Sequence, residues 1–163
     1  MSNATSDPAR DLLRHTLATL AYRGGKAIRD CPEGATGFQA GPGSRTPLQI
    51  LAHVNDLFDW GLSIVRGQQA WKNTEALGWE EQVARFHAGL AAFDAYIASG
   101  EPLHATPERL FQGPIADALT HIGQINYLRR LAGAPVRGEN YFKADVAAGR
   151  VGPEQAAPRV EFD

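Results

Sequence analysis

The chain has one cysteine, Cys31, so no intrachain disulfide is available and the fold must rest on its core. Cys31 precedes Pro32 in a loop-like stretch and reads as an incidental free thiol. Positive charge is not in excess. Sixteen Lys and Arg face eighteen Asp and Glu, a net charge of −2, which argues against the basic footprint of a nucleic-acid binder. No apolar run approaches the roughly 18 residues that a membrane-spanning helix needs. The opening residues MSNATSDPAR lack the basic-then-apolar order of a secretion signal. These absences predict a reducing, cytoplasmic setting with neither nucleic acid nor membrane as partner. Strand-like alternation, internal repeats of 20–50 residues and low-complexity segments are missing too. So are a glycine-rich phosphate loop, a nucleophile elbow and a CxxC pair, the common signatures of nucleotide, acyl-transfer and thiol-redox chemistry.

What is present is helical periodicity, enough for one domain over residues 1–163, with a core at 8–132 and a tail at 133–163 packed on its surface. Ser6 or Asp7 can cap a first helix that starts at Pro8. Leu12, Leu13, Leu17, Leu20, Ala21 and Ala27 form its stripe, and Gly24-Gly25 weakens its end. A glycine- and proline-rich loop covers residues 31–45. Thr46-Pro47 then supplies a cap and a first helical residue. The second helix carries an apolar arc from Ile50 to Val65, with His53 and Trp60 on its edge and Asn55, Asp56, Asp59 and Ser63 on its outer side. Gly67 can end it. Residues 68–78 are polar and irregular. A third helix begins near Trp79, with Val83, Phe86, Leu90, Phe93 and Ile97 as its stripe, and Gly100 and Pro102 end it. Residues 101–112 read as a connector with one helical turn at Pro107 to Phe111. The fourth helix spans Gly113 to Leu131, with Pro114 at its first position. In the tail, a short helical piece is expected around Tyr141 to Ala148. Four long amphipathic segments without strands predict an all-α, four-helix bundle, and the 10–20-residue connections permit a crossover topology.

The fourth helix has polar residues in an unexpected place. Ile115, Ala118, Ile122, Ile125, Leu128 and Leu131 share an apolar arc, and Asp117, His121 and Gln124 project into the same arc. An unpaired buried polar group costs about 1–3 kcal/mol, so these residues need partners. Asp117 and His121 are spaced i, i+4 and converge on one point. That point is a metal ion, a hydrogen-bonded pair or the wall of a polar pocket. His53 on the second helix can face the same cavity. Two imidazoles and a carboxylate suit Zn(II), Fe(II), Ni(II) or Mn(II), and three ligands leave positions open. The competing reading is a core histidine held by an aspartate. Ligand atoms separated by more than roughly 5–6 Å would exclude direct coordination. Gln124 is placed to orient a substrate and Trp60 to wall a pocket beside His53; alternatively the first is a buried amide and the second a core aromatic. His15, His87 and His104 read as surface or core residues. Arg129-Arg130 favours the dipole at its helix end.

At these residues the chain resembles the DinB superfamily of four-helix bundles, including the YfiT-like proteins. The resemblance rests on Leu51-Ala52-His53, on His121-Ile122-Gly123-Gln124-Ile125 followed by Leu128-Arg129-Arg130, and on Gly133 with Pro135 directly after that helix. It spans roughly residues 8 to 136 and implies a bundle with a long crossover, often a homodimer. The family's typical metal site takes one histidine from the second helix and two at i, i+4 from the fourth. His53 and His121 match that pattern, whereas Asp117 stands where a histidine is expected. The departure implies either a metal site of altered preference or a metal-free hydrogen-bonded pocket. Relatives include metal-dependent transferases and isomerases that use low-molecular-weight thiols such as bacillithiol or mycothiol. The resemblance therefore implies a metal-dependent thiol S-transferase or hydrolase acting on a small molecule. The alternative is a non-enzymatic bundle without a metal, binding a small molecule or serving a stress response.

Overall fold

The computed structural model describes residues 7–162. Over that span the chain is mostly helical, as the periodicity predicts, with one two-stranded ladder that it does not predict. Helix α1 runs Pro8–Ile28 and opens on Asp7, whose side chain accepts from the Ala9 and Arg10 amides. Ser6, the other candidate cap, lies outside the described residues. Gly24 and Gly25 do not interrupt α1; both are buried within it. The Phe86 ring occupies the space where a Gly24 side chain would stand. Gly24 is thus a close-approach position, not a helix stop. Gly24→Ala is expected to cost about 1–3 kcal/mol through overpacking, despite the better helix propensity of alanine. Urea unfolding checks this, and a change below about 0.5 kcal/mol would show that Phe86 simply moves aside.

A short helix, α2 (Glu33–Thr36), interrupts the first loop. Helix α3 (Pro47–Val65) begins with a complete capping box between Thr46 and Gln49. Helix α4 covers Trp79–Ala98. The last helical run starts earlier than expected, at Pro107, where the Thr106 side chain caps the Arg109 amide. It continues as α5 (Pro107–Leu110), a π-helical turn (Phe111–Ile115) and α6 (Ala116–Leu131). Pro114 therefore stands inside a helix, within the π turn, and not at its first position. A proline in a helix lacks an N–H and its ring clashes with the carbonyl four residues back; a wider turn relieves both.

The long helices pack in a ring in which α1 meets α4 and α6, and α3 meets the same two. The helices that follow one another at the start, α1 and α3, share no packed face. Phe58, Phe86, Phe93, Leu57 and Leu90 fill the interior almost without exposure. Two residues of the expected stripes are on the surface: Leu12 is 64% exposed and Leu131 is 48% exposed. No helix among the described residues is long and apolar enough to cross a membrane.

The tail lies on the helices. Strand β1 (Gly138–Glu139) pairs antiparallel with β2 (Glu161–Phe162), and the helical piece expected at 141–148 is a single 3₁₀ turn at Tyr141–Lys143. Glu139 is buried and accepts from the Tyr22 hydroxyl at 2.6 Å and the Lys26 ammonium at 2.8 Å. Arg129 is a buried tie more than a dipole partner: it donates to the carbonyls of Ala27, Arg29 and Ala134 at 2.7–3.0 Å. His87 sits beneath the tail with Nδ1 3.5 Å from the Val151 carbonyl. Burial pushes its pKa down, the Val151 carbonyl opposes that, and Arg29 adds to it. The unfolded chain then takes up this proton first. The contribution to stability is full above about pH 6.5 and falls as pH drops through the lower folded-state value. Urea midpoints are expected to decline from pH 7 to pH 5, less steeply in His87→Gln. An equal slope in the variant would show that this ring is solvated.

Candidate metal centre

Helices α3 and α6 share a packed face, and that face carries His53 opposite Asp117 and His121. One potential ligand atom from each of the three residues lies within 4.8 Å of the others. Ligand atoms on a tetrahedral ion with bonds of 2.0–2.2 Å lie about 3.4 Å apart, so side-chain shifts of about 1 Å close the set. The His53 Nε2 is 3.8 Å from Asp117 Oδ2, and the two imidazole centroids are 4.6 Å apart.

His121 Nδ1 lies 2.8 Å from the backbone carbonyl of Asp117 and 3.1 Å from its Oδ1. A carbonyl oxygen only accepts, so the neutral ring is assigned its proton on Nδ1 and its lone pair on Nε2. Such a bond on one ring nitrogen is how ligating histidines are commonly oriented. At His53, burial lowers the pKa first, and the charges of His121 and Arg45 add to that against Asp117 and Asp56. The ring is therefore neutral at neutral pH, the form that binds a cation. The donor set, two imidazoles and one carboxylate, fits a divalent ion.

The trio lies at the rim of the interior and not within it. The His53 and His121 side chains are 20% and 15% exposed, whereas Asp117 is 46% exposed. Gln124, one turn beyond His121, is exposed. It lines a groove of about 510 Å³ with Thr120 and Arg45. Trp60 is half-buried and lines a different cleft, of about 590 Å³, with Gly113 and Pro114. Among the described residues, neither shares a hydrogen bond, ion pair or ring contact with the trio.

Trp71 is the neighbour that periodicity missed. Its ring meets His53 edge-on at 5.7 Å and Trp60 at 5.8 Å, so it stands against both. The strap that carries it, residues 68–78, is tied down. Ser63 Oγ accepts from the Ala70 amide at 2.9 Å, and Asp56 Oδ2 accepts from the Thr74 amide at 3.0 Å. Asp56 Oδ1 also accepts from Arg85 at 2.7 Å. Asn55 donates to the Gln82 carbonyl and side-chain oxygens at 2.9 and 2.7 Å. The strap and α4 thus bury Asn55 and Asp56, the reverse of the outward position expected for them. A tryptophan in an otherwise polar stretch was the one signal for this; nothing in the sequence singled out Arg45. Comparison of the chain with protein-family models, with curated proteins and with solved structures finds no match.

Proposed function

We propose that the chain is a DinB-like four-helix bundle that binds a divalent metal at His53, Asp117 and His121 and acts as a transferase or hydrolase on a small molecule. The ring of long helices with α1 and α3 on a diagonal supports the crossover bundle. The observation that carries the functional reading is the convergence of three ligand atoms from two helices within 4.8 Å. A hydrogen-bonded pair alone needs only Asp117 and His121; the neutral His53 ring brought up from α3 is what a metal site requires in addition.

Zn(II), Ni(II), Fe(II) and Mn(II) all accept two imidazoles and a carboxylate. When bound, such an ion supplies Lewis acidity that makes a water or a low-molecular-weight thiol nucleophilic near neutral pH. The protein residues do the rest. His53 and His121 present imidazole nitrogens, and Asp117 supplies a carboxylate oxygen. Trp71 stands edge-on against the His53 ring, with Trp60 behind it. Metal analysis of protein purified without an affinity metal tests the reading, with one equivalent expected. Protein that stays empty after exposure to each of the four ions leaves the non-enzymatic bundle as the answer.

A further inference from the structure

A groove of about 510 Å³ runs between the Ser44-Arg45 segment, the start of α3 and the outer face of α6. It adjoins the metal trio on both helices. Ile50, in its floor, stands one turn before His53, and Thr120 and Gln124 flank one side of His121 on α6. Ile50 and Leu128 are buried apolar residues, and Tyr127 is a 62% exposed aromatic at the groove's edge. No aspartate or glutamate lines it. Arg45 does, and among the described residues its guanidinium has no hydrogen bond or ion pair. Its charge reaches the His53 ring. The amide end of α3, a second positive element, is at the same place.

An apolar floor, one aromatic and an unpaired cation beside a metal centre define a ligand by complementarity. We propose that this groove is the substrate subsite of the centre and takes a small carboxylate with an apolar or aromatic body. Arg45 pairs with the carboxylate, whose planar fork matches the guanidinium. The body lies over Ile50, Tyr127 and Leu128. This role as a substrate subsite rests on the metal reading above; the groove's preference for a carboxylate does not.

Phenylbutanoate and its neutral counterpart phenylbutanamide are suitable probes, titrated calorimetrically into the full chain with and without chelator. The carboxylate is expected to bind the chelated protein, and the amide about tenfold more weakly, a loss typical of a charge-assisted hydrogen bond. Arg45→Gln should remove that difference without lowering metal affinity. A Cβ at Gly123 meets no atom within 4 Å, and the position lines the groove. Gly123→Leu should therefore fill the groove and weaken both probes while the protein still folds and holds metal. Equal binding of the two probes, or a preference that survives Arg45→Gln, overturns the proposal. Carboxylate binding that appears only with metal places the carboxylate on the ion and overturns it as well. If wild type holds no metal but the preference for carboxylate is lost in Arg45→Gln, the groove stands and the metal reading falls. If metal binds and the probes are not distinguished, the reverse holds.

Discussion

His53→Ala and His121→Ala are each expected to abolish stoichiometric metal binding. Loss of a group that merely orients a ligand weakens a metal by about 10–100-fold, so loss of a ligand itself should cost at least ~100-fold. The readout need not be activity. A ligand present at about 100 times its Kd stabilises the folded state by about 2.7 kcal/mol. For a chain of this size that raises the melting temperature by about 5–10 °C. Wild type should show this shift with Zn(II) or Ni(II), and both alanine variants should not. The chelated forms need separate comparison, because His121→Ala also removes its bond to the Asp117 carbonyl. Asp117 allows a sharper test. Asp117→Ala leaves two imidazoles and should bind weakly. Asp117→His provides three nitrogen ligands and should keep the metal while turning the preference away from Mn(II), an ion that favours oxygen donors. Equal metal content in wild type and all these variants would sink the site.

The second large effect is on stability. Glu139→Ala should lower the unfolding free energy by about 3 kcal/mol, the usual cost of removing one partner from a buried ion pair. Glu139 has no side-chain exposure, and its loss leaves the Tyr22 hydroxyl without its acceptor. Lys26 keeps Glu161 at 3.0 Å, which holds the cost near the lower end. Tyr22→Phe should cost about 1.5–2 kcal/mol, as expected for a hydrogen bond to a charged group. The same cluster predicts alkaline sensitivity. Burial and then the Glu139 hydrogen bond push the Tyr22 phenol above its usual value of 10.0. Burial works against the Lys26 ammonium, but its bonds to Glu139 and Glu161 outweigh that and raise it above 10.5. Both folded-state values lie above those of the unfolded chain. Their stabilisation is complete below about pH 10 and is lost as pH rises through the folded values. Urea unfolding followed by circular dichroism at pH 7 and pH 10.5 measures both effects. A Glu139→Ala variant within about 1 kcal/mol of wild type would mean that the tail is held by something else.

The helices were legible because their signals are local. Thr46 and Pro47 take the cap and first-residue places expected of them, with Gln49 completing a capping box, and Phe86, Leu90, Phe93 and Ile97 of the α4 stripe are fully buried. The start of the last helical run was not legible. Pro114 satisfies the rule for a first helical residue, but Thr106-Pro107 satisfies it too, and a π turn lets the later proline sit inside. Leu12 and Leu131 extend their stripes in projection yet face outward, because an arc drawn on one helix does not know where its neighbours end. Asn55 and Asp56 fail for the converse reason. They are polar and on the far side of α3, but a strap from 68–78 and the face of α4 cover them and supply their partners.

Within the candidate site the same division holds. Asp117 and His121 could be paired from their spacing, because 3.6 residues per turn carries i to i+4 whatever surrounds the helix. That His53 comes within 3.8 Å of that aspartate depends on how α3 and α6 cross. So do the arrival of Trp71 from a polar strap, the nearness of Arg45, and the separation of Trp60 and Gln124 into different clefts. Periodicity and capping act over a few residues along the chain, and they set the helices and the Asp117–His121 pair. The approach of His53, the ring contact of Trp71 and the groove beside Arg45 are contacts between segments far apart in sequence, which exist only once the helices have packed.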